Sequence, residues 1–418
     1  MKKLCAVAVC MLVGGTTGVN AAGYQLNEYS VTGLGRSFAG MGVMGDDYSA
    51  IAYNPAGMTL VKKSGVQTGL TLTEVASKVK GENRKTDMDF VIPLPSFFGQ
   101  YNVNNKFFIG GGIYVPFGLE TRYKHDSFVA EAPSGVRRSQ LEVVDFNLSG
   151  AYKFDNGLSL GASAILRRIE GRLTSNIYYP PGQSMTKLGF NDFKVDGWST
   201  TYTLGAMYEF SKDSRIGLSY KFKSTQRTRG NHDITIDDAY VAMAQTMGLG
   251  GFNRFDSVSE PELPASWILS AYHKFAPKWG TSFSAKYTQW HRFYVFPARS
   301  SAPLKNGVFD SQYRWKDAWS FSLGQEYYMN DNWTLRAGIA WDESPVPNST
   351  YRTNRIPDSD RLWVSLGFSY MTGNHQFDVG YAHLFMMNGK VKDSANGDVD
   401  AKYESYSNML GVQYQYKF

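Results

Sequence analysis

The chain has 418 residues, of which 43% are apolar, and its mean hydropathy is −0.33, so a bundle of membrane-spanning helices is excluded. Aromatic residues make up 15% of the chain and glycine occurs 42 times, whereas disordered chains are poor in aromatic residues. The formal net charge is +6 with no block of Lys or Arg, so nucleic acid is not an expected partner. This composition favours a large β protein.

Residues 1–21 predict a secretory signal peptide. Two lysines start the segment, residues 4–13 form a short apolar run, and Ala21 ends a small-residue cleavage site. Both cysteines of the chain, Cys5 and Cys10, lie in this segment. The exported chain is therefore expected to use neither disulfides nor thiolate chemistry.

From about residue 65, apolar and polar residues alternate, which is the pattern of strands that are apolar on one face. Short turns such as Asp155-Asn156-Gly157 alternate with long polar connections, for example 173–196, 223–265 and 342–361. Aromatic residues lie near the strand ends. This pattern is typical of an outer-membrane β-barrel, and we count about fourteen strand-like segments, an even number.

The last segment, residues 409–418, alternates strictly and ends in Phe418. A final strand of this kind resembles the signal that the outer-membrane assembly machinery recognises, so this machinery is an expected partner. The alternative is an ordinary edge strand of a soluble β domain. We predict an all-β transmembrane antiparallel barrel over residues 64–418.

Residues 22–63 lack the alternation and are rich in glycine. Two arrangements fit this segment: a periplasmic tail, or a hatch (plug) folded in the lumen of the barrel. Asn54 is a good helix N-cap, and Pro55, followed by Ala56, suits a first helical turn because its missing N–H is not needed there.

Four segments resemble the FadL family of long-chain fatty acid transporters, which are outer-membrane proteins of Gram-negative bacteria. They are residues 23–30 (GYQLNEYS), 54–56 (NPA), 331–338 (DNWTLRAG) and 356–363 (IPDSDRLW). The resemblance implies a fourteen-stranded barrel with a hatch at 22–63, and a ligand that outer loops capture and a lumen pocket holds. It also implies lateral release into the membrane at a kink in the third strand, and a monomer. The sequence shows no segment that could recruit an energising partner, so passive flow is expected. Outer-membrane lipid, including lipopolysaccharide, is a further expected partner.

The third strand, expected over residues 106–123, contains residues that fit such a kink. Glycine marks bends and proline cannot donate to a strand ladder. A bulge that only shapes the barrel wall is the alternative. The residues are Gly110, Gly111, Gly112, Pro116, Phe117 and Gly118.

The connection 223–265 contains apolar residues at three- and four-residue spacing, which predicts an amphipathic helix in an outer loop. Such a helix suits ligand capture, since methionine adapts to varied apolar partners. The alternative is that it packs on a neighbouring loop. Its residues include Tyr240, Met243, Ala244 and Met247.

For the ligand pocket, the resemblance indicates Tyr24 and Leu26 as wall residues and Arg167, Arg168 or Arg172 as the cation that meets a carboxylate. The alternative for each arginine is a lumen charge paired with an acid. A tail gains roughly 0.8 kcal/mol for each buried CH₂, whereas a partly wet ion pair contributes about 1 kcal/mol. A second cation of the family has no clear match, so small aromatic hydrocarbons remain an alternative ligand.

Enzyme activity is not expected. The six histidines fall in no recognisable motif, no His/Cys metal spacing occurs, and no glycine-rich phosphate loop is present, so neither a cofactor nor a metal is predicted. The leading function is passive uptake of hydrophobic molecules, most of all long-chain fatty acids. A porin for polar solutes and a non-transporting surface adhesin or receptor are the competing functions.

Overall fold

The computed structural model describes residues 23–179, 186–246, 248–294, 297–302 and 311–418. The predicted signal peptide and Met247 lie outside the described residues. Within them, fourteen antiparallel strands form a closed barrel, in which the first strand pairs with the last from Gly65↔Lys417 to Lys80↔Lys402. The predicted fold class is confirmed. No helix in the described part is both long and apolar enough to cross a membrane.

The strands are β1 (Gly65–Lys80), β2 (Lys85–Asn102), β3 (Phe107–Arg122), β4 (Val136–Lys153), β5 (Leu158–Tyr179), β6 (Thr186–Ser211), β7 (Ser214–Lys221), β8 (Ser266–Ala276), β9 (Trp279–Thr288), β10 (Ala318–Tyr328), β11 (Trp333–Asp342), β12 (Arg361–Thr372), β13 (His375–Met386) and β14 (Ala401–Lys417). Short extensions continue three of them: Ser224–Thr225 and Arg227–Ile236 after β7, Phe252–Ser259 and Glu262–Leu263 before β8, and Ala298–Ser300 after β9. A further short strand, Gly389–Val391, pairs with β14. The helices are α1 (Val31–Leu34), α2 (Ala50–Tyr53) and α3 (Val241–Gln245), with 3-10 turns at Pro55–Leu60, Asp238–Tyr240 and Trp290–Arg292.

The strands are longer than the sequence predicted. Residues 173–196 and 223–265 were expected to be polar connections, but 173–179, 186–196 and most of 223–265 continue the ladder of β5, β6 and the extensions of β7 and β8. Their side chains are polar because this part of the sheet extends beyond the apolar belt. There the outer face no longer contacts lipid, so it need not be apolar. Because these strands are polar on both faces, the alternation of apolar and polar residues did not predict them.

The barrel is apolar outside and polar inside. On β5, Leu160 and Leu166 are exposed outward, whereas Ser159 and Ser163 are buried inward. Short turns close one end of the barrel and long connections the other, which identifies the periplasmic and outer ends. A polar lumen can hold a polar chain segment without leaving buried hydrogen-bonding groups unpaired.

β3 is irregular near its centre. Its pairing with β4 shifts register between Tyr114 and Phe117, so Val115 and Pro116 have no partner in that ladder. The sequence predicted an interruption in this strand, and the structure places it at Pro116, just before Phe117 and Gly118. The triplet of glycines, by contrast, pairs regularly with both neighbouring strands: Gly110, Gly111 and Gly112.

Beyond this irregularity, β2 and β3 separate. Their ladder runs only from Asn102↔Phe108 to Phe97↔Ile113, although β2 stays paired with β1 along its whole length. The outer half of β2 and residues 114–122 of β3 therefore share a gap in the wall. Pro93 and Pro95 lie in this half of β2, where a missing N–H costs least.

The N-terminal segment, residues 23–63, contacts strands around the barrel. Asn147 on β4 donates to the Ile51 carbonyl, Arg215 on β7 donates to the Val43 and Met44 carbonyls, and Gln413 on β14 accepts from the Val31 N–H. A segment that touches opposite walls fills the interior.

Glycines on the inward face of the strands let this segment approach closely. A Cβ on Gly161 of β5 would lie 2.4 Å from the Ala56 nitrogen and 2.5 Å from the Pro55 carbonyl carbon. A Cβ on Gly338 of β11 would lie 2.2 Å from the carbonyl carbon of Arg36. Backbone thus packs on backbone at these points, and any side chain would push the segment away.

We expect Gly161→Ala to displace the segment and lower stability by about 1–3 kcal/mol, the usual cost of overpacking. Gly150→Ala on β4 is the control, because its nearest neighbour would be 3.9 Å away. Limited proteolysis should cut residues 23–63 faster in the first variant, while both keep the gel mobility of a folded barrel. Equal cleavage in the two variants would contradict the close packing.

Candidate functional site

A largely apolar pocket lies in the lumen at the level of the gap. Its lining bounds about 580 Å³ of space free of protein atoms, part of which is open to solvent. Strands β3 to β6, the N-terminal segment and three outer connections all contribute to it. The apolar lining is Tyr24, Leu119, Leu141, Ile169, Leu173, Phe193, Val195, Pro261, Leu263, Phe293, Tyr313 and Ile356.

Tyr24 anchors one wall of the pocket. Its ring lies 4.8 Å from Trp290, 5.5 Å from Phe293 and 5.7 Å from Trp315, measured between centroids. Burial raises the pKa of the Tyr24 hydroxyl well above its ordinary value. This aromatic cluster fixes the ring, as expected for one wall of the pocket.

The backbone around Tyr24 pairs with the free edge of β3. The Leu26 N–H donates to the Pro116 carbonyl at 2.8 Å, and the Gly118 N–H donates to the Tyr24 carbonyl at 2.9 Å. Gln25 forms a bridge with Phe117. Leu26 itself packs in the neighbouring apolar cluster of the segment and does not line the pocket. Residues 24–26 thus occupy part of the edge that β2 leaves unpaired.

Arg355 forms the polar end of the pocket. It comes from the connection between β11 and β12 and is only 6% exposed. Its Nη1 lies 3.4 Å from the Ser139 hydroxyl and 3.5 Å from the Arg138 carbonyl. Asp398 interacts electrostatically with it, and burial raises the pKa of this carboxyl to about 6. The position of Arg355 in the pocket was not predicted from the sequence.

The three arginines predicted from the sequence lie in different places. Arg167 is buried and forms a bidentate ion pair with Asp145, in which Nε and Oδ1 are 2.6 Å apart. Arg168 faces outward over Trp198, so it does not line the pocket. Arg172 does line the pocket, but it pairs with Asp192 at 2.7 Å.

The amphipathic helix predicted in the connection 223–265 is present but short. α3 covers five residues, preceded by the 3-10 turn Asp238–Tyr240. Ala244 is fully buried and Tyr240 packs against the same cluster, as the alternative interpretation had it. Met243 is 37% exposed and remains a candidate for capture.

The Asn54-Pro55-Ala56 motif caps a helical turn and joins it to the barrel wall. Asn54 accepts from the Ala56 N–H at 3.1 Å, and Pro55 takes the first position of the turn, as predicted. The Asn54 amide also donates to the Ala206 carbonyl on β6 at 3.2 Å and approaches the Leu218 carbonyl on β7 at 3.5 Å. One side chain therefore joins the segment to two strands.

Glu28 is buried in the N-terminal segment with an incomplete set of partners. Its Oε2 accepts from the Asn27 N–H at 2.7 Å, whereas Oε1 has no hydrogen-bond partner among the described residues. Burial raises the pKa of this carboxyl to about 7. The folded protein therefore favours the protonated acid.

Stability should consequently fall as the pH rises from about 4.5 to about 7, because only the unfolded chain ionises Glu28 readily in that range. We expect Glu28→Gln to be more stable than the parent at pH 8 and similar at pH 4, as measured by thermal unfolding in detergent. Exposed Glu82→Gln is the control and should leave the pH profile unchanged. Parallel profiles for parent and Glu28→Gln would show that folding does not raise the pKa of Glu28.

Comparison with known proteins agrees with this architecture. The family model described as outer membrane protein transport protein (OMPP1/FadL/TodX) matches residues 12–418. A long-chain fatty acid transport protein of Salmonella typhi is 30% identical over 440 residues, covering 100% of this chain and 98% of its own.

Two solved structures share the fold. A Pseudomonas aeruginosa FadL homologue superposes with a TM-score of 0.84 at 22% identity, covering 95% of this chain and 100% of its own. The Pseudomonas putida toluene transporter TodX gives a TM-score of 0.69 at 18% identity, covering 95% and 100%. From the family model and the full-length identity, this chain is an outer-membrane protein that belongs to the OMPP1/FadL/TodX transport family.

Proposed function

We propose that this outer-membrane transporter carries hydrophobic compounds inward without an energy source, and that long-chain fatty acids are its principal ligands. The apolar pocket with one buried cation at its polar end is the observation that carries the proposal. An acyl chain in this pocket would gain roughly 0.8 kcal/mol per buried CH₂. Curated relatives across the whole length of the chain are named as long-chain fatty acid transport proteins, which supports the same ligand class.

Arg355 is the group that we assign to the carboxylate. A guanidinium can hold a carboxylate with two charge-assisted hydrogen bonds, and such bonds are strong where water is scarce. Arg172 is the second candidate because it also lines the pocket, but its side chain is 37% exposed, whereas Arg355 is buried. Arg167 then serves to hold β4 and β5 in register, and Arg168 lies outside the ligand site.

The gap between β2 and β3 is the proposed exit into the membrane. Leu119 lines the pocket and belongs to the part of β3 that has lost β2 as a neighbour. A ligand at this position has an apolar route sideways, which avoids passage through the polar lumen. The N-terminal segment, acting as the hatch, then closes the route toward the periplasm.

Outer loops are the proposed capture region, with exposed Met243 as its candidate contact. Small aromatic hydrocarbons are the alternative ligand, since the solved toluene transporter shares the fold and an apolar pocket does not itself select for a carboxylate. A surface adhesin would need no such pocket. The relatives are named as transport proteins, and no catalytic role is proposed for this chain.

We expect Arg355→Ala to lower the affinity for oleate at least about tenfold, the range for losing charged hydrogen bonds, and to leave toluene binding unchanged. Binding of both ligands to the purified barrel checks this. Arg168→Ala, on the outer face, is the matched control and should bind oleate normally. Unchanged oleate affinity in a folded Arg355→Ala protein would remove Arg355 from the site, and binding of toluene alone would favour the hydrocarbon function.

The hatch role predicts a transport defect without a folding defect. Asn54→Ala should remove the cap and the bond to β6, so that uptake of labelled oleate by cells falls severalfold while surface levels stay normal. Asn156→Ala, in a short periplasmic turn, is the control. Normal uptake by a normally exported Asn54→Ala protein would argue against a gating role for this contact.

A further inference from the structure

A lysine is buried in the lumen, on the periplasmic side of the pocket, without an ion pair. Lys286 lies on β9 and is only 5% exposed. Ser284 and Thr288, two residues away on either side, are also buried, whereas Phe283 is exposed to lipid, so Lys286 faces inward. No carboxylate of the described residues forms an ion pair with it. Lysine is almost never buried in this way unless it is paired.

The acids nearest to Lys286 do not neutralise it. Asp342 pairs with Arg361, at 3.7 Å. Glu28 interacts with Lys286 electrostatically, but neither of its oxygens forms an ion pair with the ammonium within the described chain. The fold also favours the protonated form of Glu28, as its pH profile should show. A buried charge without a counter-charge is costly, and an anionic ligand would remove that cost.

The N-terminal segment provides Lys286 with one neutral acceptor. The Lys286 ammonium donates to Asn27 Oδ1 at 3.0 Å, and Thr288, on the same face of β9, donates to Gln25 Oε1 at 3.1 Å. The other two N–H donors of Lys286 have no acceptor in the described part of the chain. A carboxylate oxygen accepts from an ammonium more strongly than an amide oxygen does.

Space remains in the lumen beside Lys286. Ile268 on β8 and Ser320 on β10 are paired with Lys286 across the sheet, and they face inward with it. Both keep part of their surface accessible, and so do Gln25 and Asn27 on the segment. The lumen is therefore not tightly packed at this position, and the ammonium can be approached.

A second lysine adds to the positive charge here. Lys221, the last residue of β7, forms no ion pair with any described residue, since nearby Asp145 is already bound by Arg167. Its Nζ lies 3.4 Å from the hydroxyl of Tyr114, where the register of β3 begins to shift. Lys221 and Lys286 are close enough to repel each other, so an anion in this part of the lumen would stabilise both.

We propose that Lys286 is a second carboxylate site on the transport route, which receives the head group of a long-chain acid after Arg355 has released it. This inference rests on the proposed function. Asn27 and Tyr24 are three residues apart, at most about 10 Å along the chain, so a long acyl tail can stay in the pocket while its carboxylate lies at Lys286. A hydrocarbon would leave the ammonium without a counter-charge, so the site selects acids over aromatic hydrocarbons.

The test compares the binding of oleate with that of oleyl alcohol, which has the same chain but no charge, to the purified full-length barrel. Arg355→Ala should still prefer oleate by about tenfold, the range for a charged hydrogen bond, because Lys286 remains. Adding Lys286→Gln, which keeps a donor for Asn27, should abolish that preference without changing the affinity for oleyl alcohol. Adding Lys286→Arg should keep the preference, and so should the control Lys78→Gln, at an exposed position on β1.

The preference for oleate decides the outcome. An Arg355→Ala protein without any preference, or one whose preference survives Lys286→Gln, would overturn the proposal, and an equal loss of both ligands would show that the lysine is only structural. A parent barrel that binds oleate no better than oleyl alcohol would instead contradict the proposed function on which the inference rests.

Uptake by cells gives a second measurement that leaves Arg355 unchanged. Lys286→Gln alone should slow the uptake of labelled oleate severalfold at normal surface levels, because the carboxylate loses its second site. The uptake of labelled oleyl alcohol should stay the same. Normal oleate uptake by this variant would overturn the proposal.

Discussion

A strand edge in lipid must find a hydrogen-bonding partner, since no water is there to replace it. The pairing of β1 with β14 meets this requirement for the sheet as a whole. In the outer half of the β2–β3 boundary the two strands are not paired with each other, and other parts of the chain lie at these edges. Residues Tyr24 to Leu26 pair with the freed edge of β3, and Pro93 and Pro95, which have no N–H to donate, lie in the half of β2 that faces the gap. The pocket, the gap and the start of the chain are therefore consequences of one broken ladder.

Glycine residues allow the N-terminal segment to pack closely against the barrel wall. Glycines on β5, β6, β7, β11 and β12 face inward where the N-terminal segment comes closest. Elsewhere the lumen offers hydroxyl, amide and charged groups that bind the backbone of the segment. Apolar burial adds to these contacts, because the cluster around Tyr29 and Tyr53 joins apolar side chains of the segment to inward-facing side chains of the wall.

Much of this architecture could be predicted from the sequence, because a barrel wall repeats one simple pattern. The alternation of apolar and polar residues predicted the strands in the apolar belt. The same alternation places Arg167 on the inward face with Ser163 and Arg168 on the outward face with Leu166. The strand extensions were missed because alternation loses its apolar signal above the membrane. Arg355 was missed as a pocket residue because only the fold of a long connection brings residue 355 to β3, β4 and Tyr24. No spacing of residues near position 355 in the sequence predicts these long-range contacts.

The pairing of Tyr24–Leu26 with β3 also has a consequence for the order in which the molecule forms. The first residues of the segment need the edge of β3, the aromatic rings of Trp290 and Trp315, and the carboxylate of Asp358, to which the Gly23 N–H donates at 3.1 Å. These partners lie up to 335 positions further along the chain. The start of the described chain can therefore take its final place only after most of the wall exists, so that sequence order and assembly order run in opposite directions.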